Sequence, residues 1–129
     1  MKNLSLFMLF ALGLTTFMSC DDTDDCNRIE AAAVVASEMV DTTTVNEVVD
    51  ITVAFDVING CGDYGGSTLE LIGNTVTIEV DASYVGCICT QAIERREQTL
   101  NFRPTSTGTY FFEFIQEDAV THRDTLVVQ

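Results

Sequence analysis

Hydrophobic and polar residues alternate along several short stretches of the chain, which is the pattern of half-buried β-strands. Over residues 50–57 every second side chain is apolar, and residues 75–81 repeat this alternation. Less regular β-rich runs predict further strands at 34–40, 67–72, 99–102, 110–114 and 125–128. The three alanines at 31–33 are also compatible with a short helix at the start of the first element. The pattern therefore predicts a β-rich body of about seven strands.

Turn-forming residues separate these predicted strands. They occur at Asn59-Gly60, 62–66, Gly73-Asn74, 104–108 and Glu117-Asp118. Seven short strands in roughly 100 residues are typical of an all-β, immunoglobulin-like antiparallel sandwich. We expect this domain to occupy residues 29–129.

The spacing Phe102-x-Pro104-x-x-x-Gly108-x-Tyr110-x-x-x-Phe114 resembles the E–F corner of bacterial immunoglobulin-like domains. The resemblance implies a tyrosine corner, in which the Tyr110 hydroxyl bonds back to the backbone. Antibody-type features are absent from the sequence, which has no tryptophan. No functional residue follows from this resemblance, because the fold supports many unrelated tasks.

Residues 1–19 have the layout of a secretory signal, with Lys2 followed by an apolar run from Leu4 to Leu14. The run is shorter than the roughly 20 residues that span a bilayer, which disfavours a permanent transmembrane helix. Ser19-Cys20 resembles the end of a bacterial lipobox, although Phe17 stands where leucine is usual. The resemblance implies cleavage before Cys20 and lipid attachment to it. An ordinary cleaved signal and an uncleaved anchor are the alternatives.

Four aspartates follow Cys20 within a predicted tether, residues 20–28; they are Asp21, Asp22, Asp24 and Asp25. The run resembles the acidic export signal of surface-exposed lipoproteins of Bacteroidota, which implies the outer membrane and its exterior face. A solvated spacer of mutually repelling charges is the simpler interpretation. An aspartate at this position also resembles an inner-membrane retention signal of enteric bacteria, so the periplasmic face stays an alternative location.

The chain is strongly acidic, with 6 Lys+Arg against 20 Asp+Glu and a net charge of −14. Cleavage before Cys20 would leave 110 of the 129 residues and a charge of −15, because Lys2 is lost while every acid remains. Every remaining cation is then an arginine, which removes lysine Schiff-base chemistry. The charge also argues against nucleic acid as a partner, because phosphate binding needs clustered cations.

Four further cysteines are predicted to meet at one end of the sandwich, provided that consecutive strands alternate in direction. They are Cys26, Cys61, Cys87 and Cys89. Outside the cytoplasm we expect two disulfides. Cys87 and Cys89 point the same way on an extended strand, so bonds to distant partners are easier than a bond between them. We expect Cys61 to pair with one of them and Cys26 with the other.

Two other kinds of site compete with structural disulfides. Cys61, Cys87 and Cys89, completed by Cys26 or His122, would form a soft-metal site for Cu(I) or Zn(II). The Cys-x-Cys sequence would alternatively act in thiol redox chemistry if positive charge lay nearby.

Signatures of enzymes are absent from the sequence: it has no HExxH, nucleophile elbow, phosphate loop or dinucleotide fingerprint. His122 is expected at the surface, and the arginines at 95–96 in a solvated turn. Tyr64 and Tyr84 flank the cysteine-rich end and either stack on a ligand or pack on the disulfides. Asp41-Thr42-Thr43 and Asp124-Thr125-Leu126 resemble the O-glycosylation sequon of Bacteroidota. The sequence thus favours a lipid-anchored, non-catalytic structural or binding module without a cofactor, with protein or glycan as possible ligand classes.

Overall fold

The computed structural model describes residues 26–129, which form eight strands and contain no helix. The strands are β1 (Arg28–Glu38), β2 (Thr42–Thr43), β3 (Val49–Val57), β4 (Gly62–Ile72), β5 (Thr75–Tyr84), β6 (Glu94–Phe102), β7 (Gly108–Gln116) and β8 (Ala119–Val128). The predicted signal segment, Cys20 and the acidic run at 21–25 lie outside the described residues.

The strands form a two-layer sandwich, which confirms the predicted all-β fold class. One layer has the order β2-β8-β7-β5, with β4 on the other side of β5, and the second layer contains β1, β3 and β6. Strand β1 belongs to both layers, since Arg28–Ala32 pairs with β5 and Ala33–Glu38 pairs with β3, with a register shift between Val34 and Ala36. Most pairs are antiparallel, and the pairs β5–β7 and β2–β8 are parallel.

Alternation along the strands builds the core between the two layers. In β3 the side chains of Ile51, Val53, Phe55 and Val57 have no exposed surface, while the residues between them face outward. β5, β7 and β8 supply the opposite wall in the same way; its fully buried members are Val76, Ile78, Val80, Ala82, Phe112, Phe114 and Leu126. Burial of each valine, leucine, isoleucine or phenylalanine in this core contributes roughly 1.5–3 kcal/mol, so the core is the main source of stability.

The predicted tyrosine corner is present. The Tyr110 hydroxyl donates to the Ser106 carbonyl oxygen at 3.1 Å and lies 2.9 Å from the Ser106 hydroxyl. The Tyr110 ring is buried and makes an edge contact with Phe102, with 5.4 Å between ring centroids. The corner therefore joins the 104–108 turn to both layers of the core.

Strand boundaries differ from the prediction mainly at glycines and charged residues. The 62–66 segment, predicted as a turn, is the first part of β4. Gly62 is needed there because a Cβ would lie 2.5 Å from the Val57 Cβ and 2.7 Å from the Tyr84 ring. The alanines at 31–33 are extended in β1 rather than helical, because they pair with β5 and β3 on either side.

The β7–β8 hairpin and the loop between β2 and β3 lie at opposite ends of the sandwich. β7 and β8 are joined by Glu117-Asp118, both at positive φ (48° and 67°), so β8 begins six residues earlier than predicted. At the end of the sandwich opposite to this hairpin, the hydroxyls of Thr43 and Thr44 donate hydrogen bonds to the Glu47 carboxylate. These bonds lower the pKa of the Glu47 carboxyl, and the bond from Thr43 has the largest effect.

Candidate functional site

The four cysteines lie at one end of the sandwich, as the strand directions predict. β3 and β5 end there, and β1, β4 and β6 begin there, because each of these three strands is antiparallel to β3 or β5. Cys26 is bonded to Cys87 and Cys61 to Cys89, with Cα atoms 4.9 Å and 5.4 Å apart. The expected pairing is confirmed, and the two bonds attach one loop, residues 85–93, to the start of β1 and to the β3–β4 loop.

Hydrogen bonds donated by backbone amides order the loops around the disulfides. Asn59 is buried, and its side-chain oxygen accepts the Cys61 amide at 3.0 Å. The Gly60 amide donates to the Thr90 carbonyl oxygen at 2.9 Å. The Gly86 amide donates to the Asn27 side chain at 3.1 Å. The loops at this end therefore have fixed conformations and are attached to the sheet by both covalent bonds and hydrogen bonds.

Tyr84, the last residue of β5, lies buried beneath the cysteine-rich loops. Its side chain is buried, its hydroxyl accepts the Ile58 amide at 3.0 Å, and the Arg28 guanidinium lies 4.6 Å from its ring centroid. Tyr64 packs against the core near Phe55, with 6.3 Å between ring centroids. Both tyrosines thus contact residues of the domain other than the cysteines, whereas the sequence predicted that they stack on a ligand or pack on the disulfides.

Apolar side chains surround the disulfides on the outside. Ile88 lies between the bonded Cys87 and Cys89 and is 98% exposed, and Ile93 is 74% exposed. The other exposed members at this end are Ile29, Ile58 and Val85. The whole 85–93 loop contains no charged residue, in a chain that is 20% charged. We call this surface, made by Ile29, Ile58 and residues 85–93, the apolar tip.

Arginines border the apolar tip on the β6 side. Contrary to expectation, Arg95 and Arg96 are not in a turn, because β6 begins at Glu94 and pairs with β3. Arg95 makes a two-pronged contact with Asp56 at 2.9 and 3.4 Å, and this hydrogen bond raises the Arg95 pKa. Arg96 lies 2.7 Å from Glu94 and donates to the Gly62 carbonyl oxygen at 3.1 Å. Both cations have partners, so neither provides free positive charge for a thiolate.

The cysteines and His122 proposed as alternative metal ligands are not arranged as a metal site. Cys26, Cys61, Cys87 and Cys89 are bonded in pairs and present no thiolate. His122 lies on β8, where its Nε2 is 3.0 Å from the Ser37 hydroxyl. Within residues 26–129 no group of three or more His, Cys, Asp or Glu side chains is arranged to hold a metal ion.

A Ser-His-Asp cluster on the β1–β8 side escaped the sequence prediction. The Ser37 hydroxyl donates to Asp124 Oδ2 at 2.8 Å and also contacts His122, whose ring packs on Phe114. His122 and Asp124 are two residues apart on one strand and so share a face, which was the signal available in the sequence. Because the serine lies between the other two, its proton is directed to the carboxylate and the histidine is not oriented as its base. The cluster crosslinks β1 to β8.

A cavity of about 480 Å³ lies on the outer face of the β5–β7–β8 layer. Phe111, half exposed, and the Glu113–Arg123 pair, 3.4 Å apart, line this open depression. A smaller cavity of about 280 Å³ lies at the cysteine-rich end between Arg28, Tyr84 and the 85–93 loop. The predicted glycosylation residues, Thr42 and Thr125, are exposed on β2 and β8. No helix able to span a membrane occurs within residues 26–129.

Comparison with known proteins identifies the domain but no individual relative. The family model described as the ORF11 beta-sandwich domain matches residues 51–128, from within β3 to the end of β8. No curated protein and no solved structure matches the chain. The matched region contains the Cys61–Cys89 bond, whereas the Cys26–Cys87 bond joins it to the start of β1. Since the match covers more than half of the 129 residues, this chain belongs to the ORF11 beta-sandwich domain family.

Proposed function

We propose that this protein is a lipoprotein, anchored through Cys20 in the outer membrane and facing the cell exterior, whose β-sandwich is a non-catalytic structural or binding module. The single observation that carries the proposal is the pair of disulfides. Structural disulfides persist in oxidising, extracytoplasmic compartments. The first of them involves Cys26, only six residues after the predicted lipidated cysteine.

The arrangement of the tether and the first disulfide supports an anchoring role. The Cys26–Cys87 bond attaches the segment just before β1 directly to the 85–93 loop, next to the ends of β3 and β5. A pull on the tether would therefore be borne by a covalent bond, rather than by the hydrogen bonds that pair Arg28–Ala32 with β5. This connection suits a domain that is held by its N-terminal end.

The polar clusters support a non-catalytic role. The serine of the Ser37–His122–Asp124 cluster is hydrogen-bonded to the carboxylate, and Arg95 and Arg96 are paired with neighbouring groups. The cavity beside Phe111 is open and is lined by the Glu113–Arg123 ion pair. These features fit side chains that join strands to one another.

Replacement of the predicted lipid attachment residue tests the anchor. Wild-type protein and the tether control Thr23→Ala are expected in the membrane fraction and to need detergent for extraction. Cys20→Ala is expected to appear in the soluble fraction or to keep its leader, because two acyl chains or signals are required for stable anchoring. Mass spectrometry of the N-terminal peptide checks the lipid directly. Membrane retention equal to that of the wild type, by a Cys20→Ala protein that has lost its leader, would refute the anchor.

Two further measurements address the location and the competing function. Replacement of the four aspartates at 21–25 by serine should abolish protease accessibility on intact cells while membrane association persists; unchanged accessibility would refute the export role. Thiol counting on protein purified without reductant should give none. Three or four free thiols together with bound copper or zinc would instead establish the metal or redox alternative.

A further inference from the structure

We infer that the apolar tip rests on the surface of the lipid bilayer that holds the anchor, so that the domain stands with its disulfide-bonded end against the membrane. The inference rests on the proposed lipid anchor at Cys20. In this arrangement the apolar tip contacts the headgroup and upper acyl region of the bilayer, and this contact orients the whole domain relative to the membrane.

The length of the tether limits which surface can reach the membrane. Six peptide steps separate Cys20 from Cys26, and a fully extended chain covers at most about 3.6 Å per residue, so Cys26 stays within about 22 Å of the anchor. The ten residues of β5 span about 30 Å from the tip to the opposite end. The domain therefore cannot stand on its opposite end, which carries the exposed Ile72, because that orientation would hold Cys26 farther from the bilayer than the tether reaches.

The disulfide between Cys26 and Cys87 prevents the tether from becoming longer. Without the bond, separation of Arg28–Ala32 from β5 would lengthen the tether and free the domain to turn over. With the bond, the Cα atoms of the two cysteines are 4.9 Å apart, and Ile88 is the next residue along the loop. The last part of the tether, at Cys26, is thus joined through one disulfide to the residue that precedes Ile88.

The composition of the tip matches the bilayer interface. Ile88, Ile93 and Val85 are 98%, 74% and 66% exposed, and the 85–93 loop that carries them has no charged residue to be desolvated. Apolar side chains at an interface bury themselves about 5–10 Å into the headgroup and acyl boundary. The 85–93 loop carries none of the acidic groups of this chain, so contact of this loop with the bilayer removes none of its own side-chain charges from water.

The absence of tryptophan from the chain allows a single-residue reporter of this contact. The full chain with Ile88→Trp is purified in its lipidated form and reconstituted into phosphatidylcholine vesicles, and Ile72→Trp at the opposite end is the matched control. We expect the Ile88→Trp emission to shift to shorter wavelength, and bromine-labelled lipid to quench it by about half or more, because that depth lies within 5–10 Å of the boundary. Ile72→Trp should keep solvent-exposed emission and resist this quenching.

The outcomes separate the inference from the anchor on which it rests. If the protein floats with the vesicles but Ile88→Trp is quenched by acrylamide and not by the labelled lipid, the anchor holds and the inference is wrong. If Ile88→Trp is shielded from both quenchers, a protein surface covers the tip, and the inference is again wrong. If the protein does not float with the vesicles, the proposed anchor fails and the inference fails with it. Val85→Trp provides a second reporter at the tip should Ile88→Trp fold poorly by circular dichroism.

Discussion

The disulfide between Cys26 and Cys87 should stabilise the domain more than the one between Cys61 and Cys89, because it closes the longer loop. The two bonds link residues 61 and 28 positions apart, respectively. Each bond is removed by replacing both of its cysteines with serine, so that no unpaired thiol remains to exchange with the surviving bond.

The magnitude follows from the loop lengths. In the chain-entropy description, a 61-residue loop contributes about 4.3 kcal/mol at 25 °C and a 28-residue loop about 3.6 kcal/mol. The two loops overlap in sequence, so the two losses are not additive. Their difference is unaffected by the overlap, because each double variant retains one bond. The variant without the longer loop should therefore be the less stable by about 0.7 kcal/mol.

Urea denaturation of both double variants, followed by circular dichroism without reductant, measures this difference. For a domain of this size, 0.7 kcal/mol corresponds to roughly 3–6 °C in the melting temperature, which provides an independent readout. The wild type in the presence of reductant should be less stable than either variant. If the variant lacking Cys61–Cys89 is the less stable one at equal m-values, loop closure does not decide the ranking and the reasoning is refuted.

Four further variants test local features of the fold. Gly62→Ala should destabilise by about 1–3 kcal/mol in urea denaturation, since the added methyl overlaps buried side chains; unchanged stability would show that the loop can shift. Tyr110→Phe should lower the free energy of unfolding by about 1–1.5 kcal/mol, because the corner hydrogen bond is lost. A loss below about 0.3 kcal/mol would argue against the corner. Replacement of Glu117-Asp118 by Asn-Gly should raise the melting temperature, because both positions have positive φ; a lower melting temperature would contradict this. Glu47 has a lowered folded-state pKa, so its contribution is present above its usual value of 4.5 and is lost as pH falls through the lower folded value; the difference in melting temperature between wild type and Glu47→Gln should shrink accordingly, and a constant difference would refute the hydrogen-bond assignment.

Alternation made the central strands predictable and left the others uncertain. Ile51, Val53 and Phe55 repeat every second residue and are all fully buried, so β3 was found within one residue of its start. β6 begins five residues before its predicted start, because its first half carries charged and polar residues that pair with β3 at a sheet edge. In β4, five residues that include three glycines suggested a turn, although close packing requires the first of these glycines inside the strand.

The candidate site was predictable in its members more than in its surface. Strand alternation placed Cys26, Cys61, Cys87 and Cys89 at one end, and the two-residue spacing of the last two disfavoured a bond between them. Which of these two pairs with Cys26 was decided only by the structure. The exposure of Ile88 could not be predicted, because an isoleucine between two cysteines is equally compatible with burial. The Ser37 cluster also depended on which strands become neighbours, and β1 meets β8 only through its passage between the two layers.

The sequence by itself determined the β-strand pattern, the acidic charge and the tyrosine corner, because each of these depends on residue type and local spacing. The gathering of the cysteines followed from the strand pattern under the condition that consecutive strands alternate in direction. Only the tertiary structure decided the parallel pairing of β5 with β7, the passage of β1 between layers and the exposure of the apolar tip. These features depend on contacts between residues far apart in the chain. Such contacts are selected by packing of the whole core, and no local pattern encodes them.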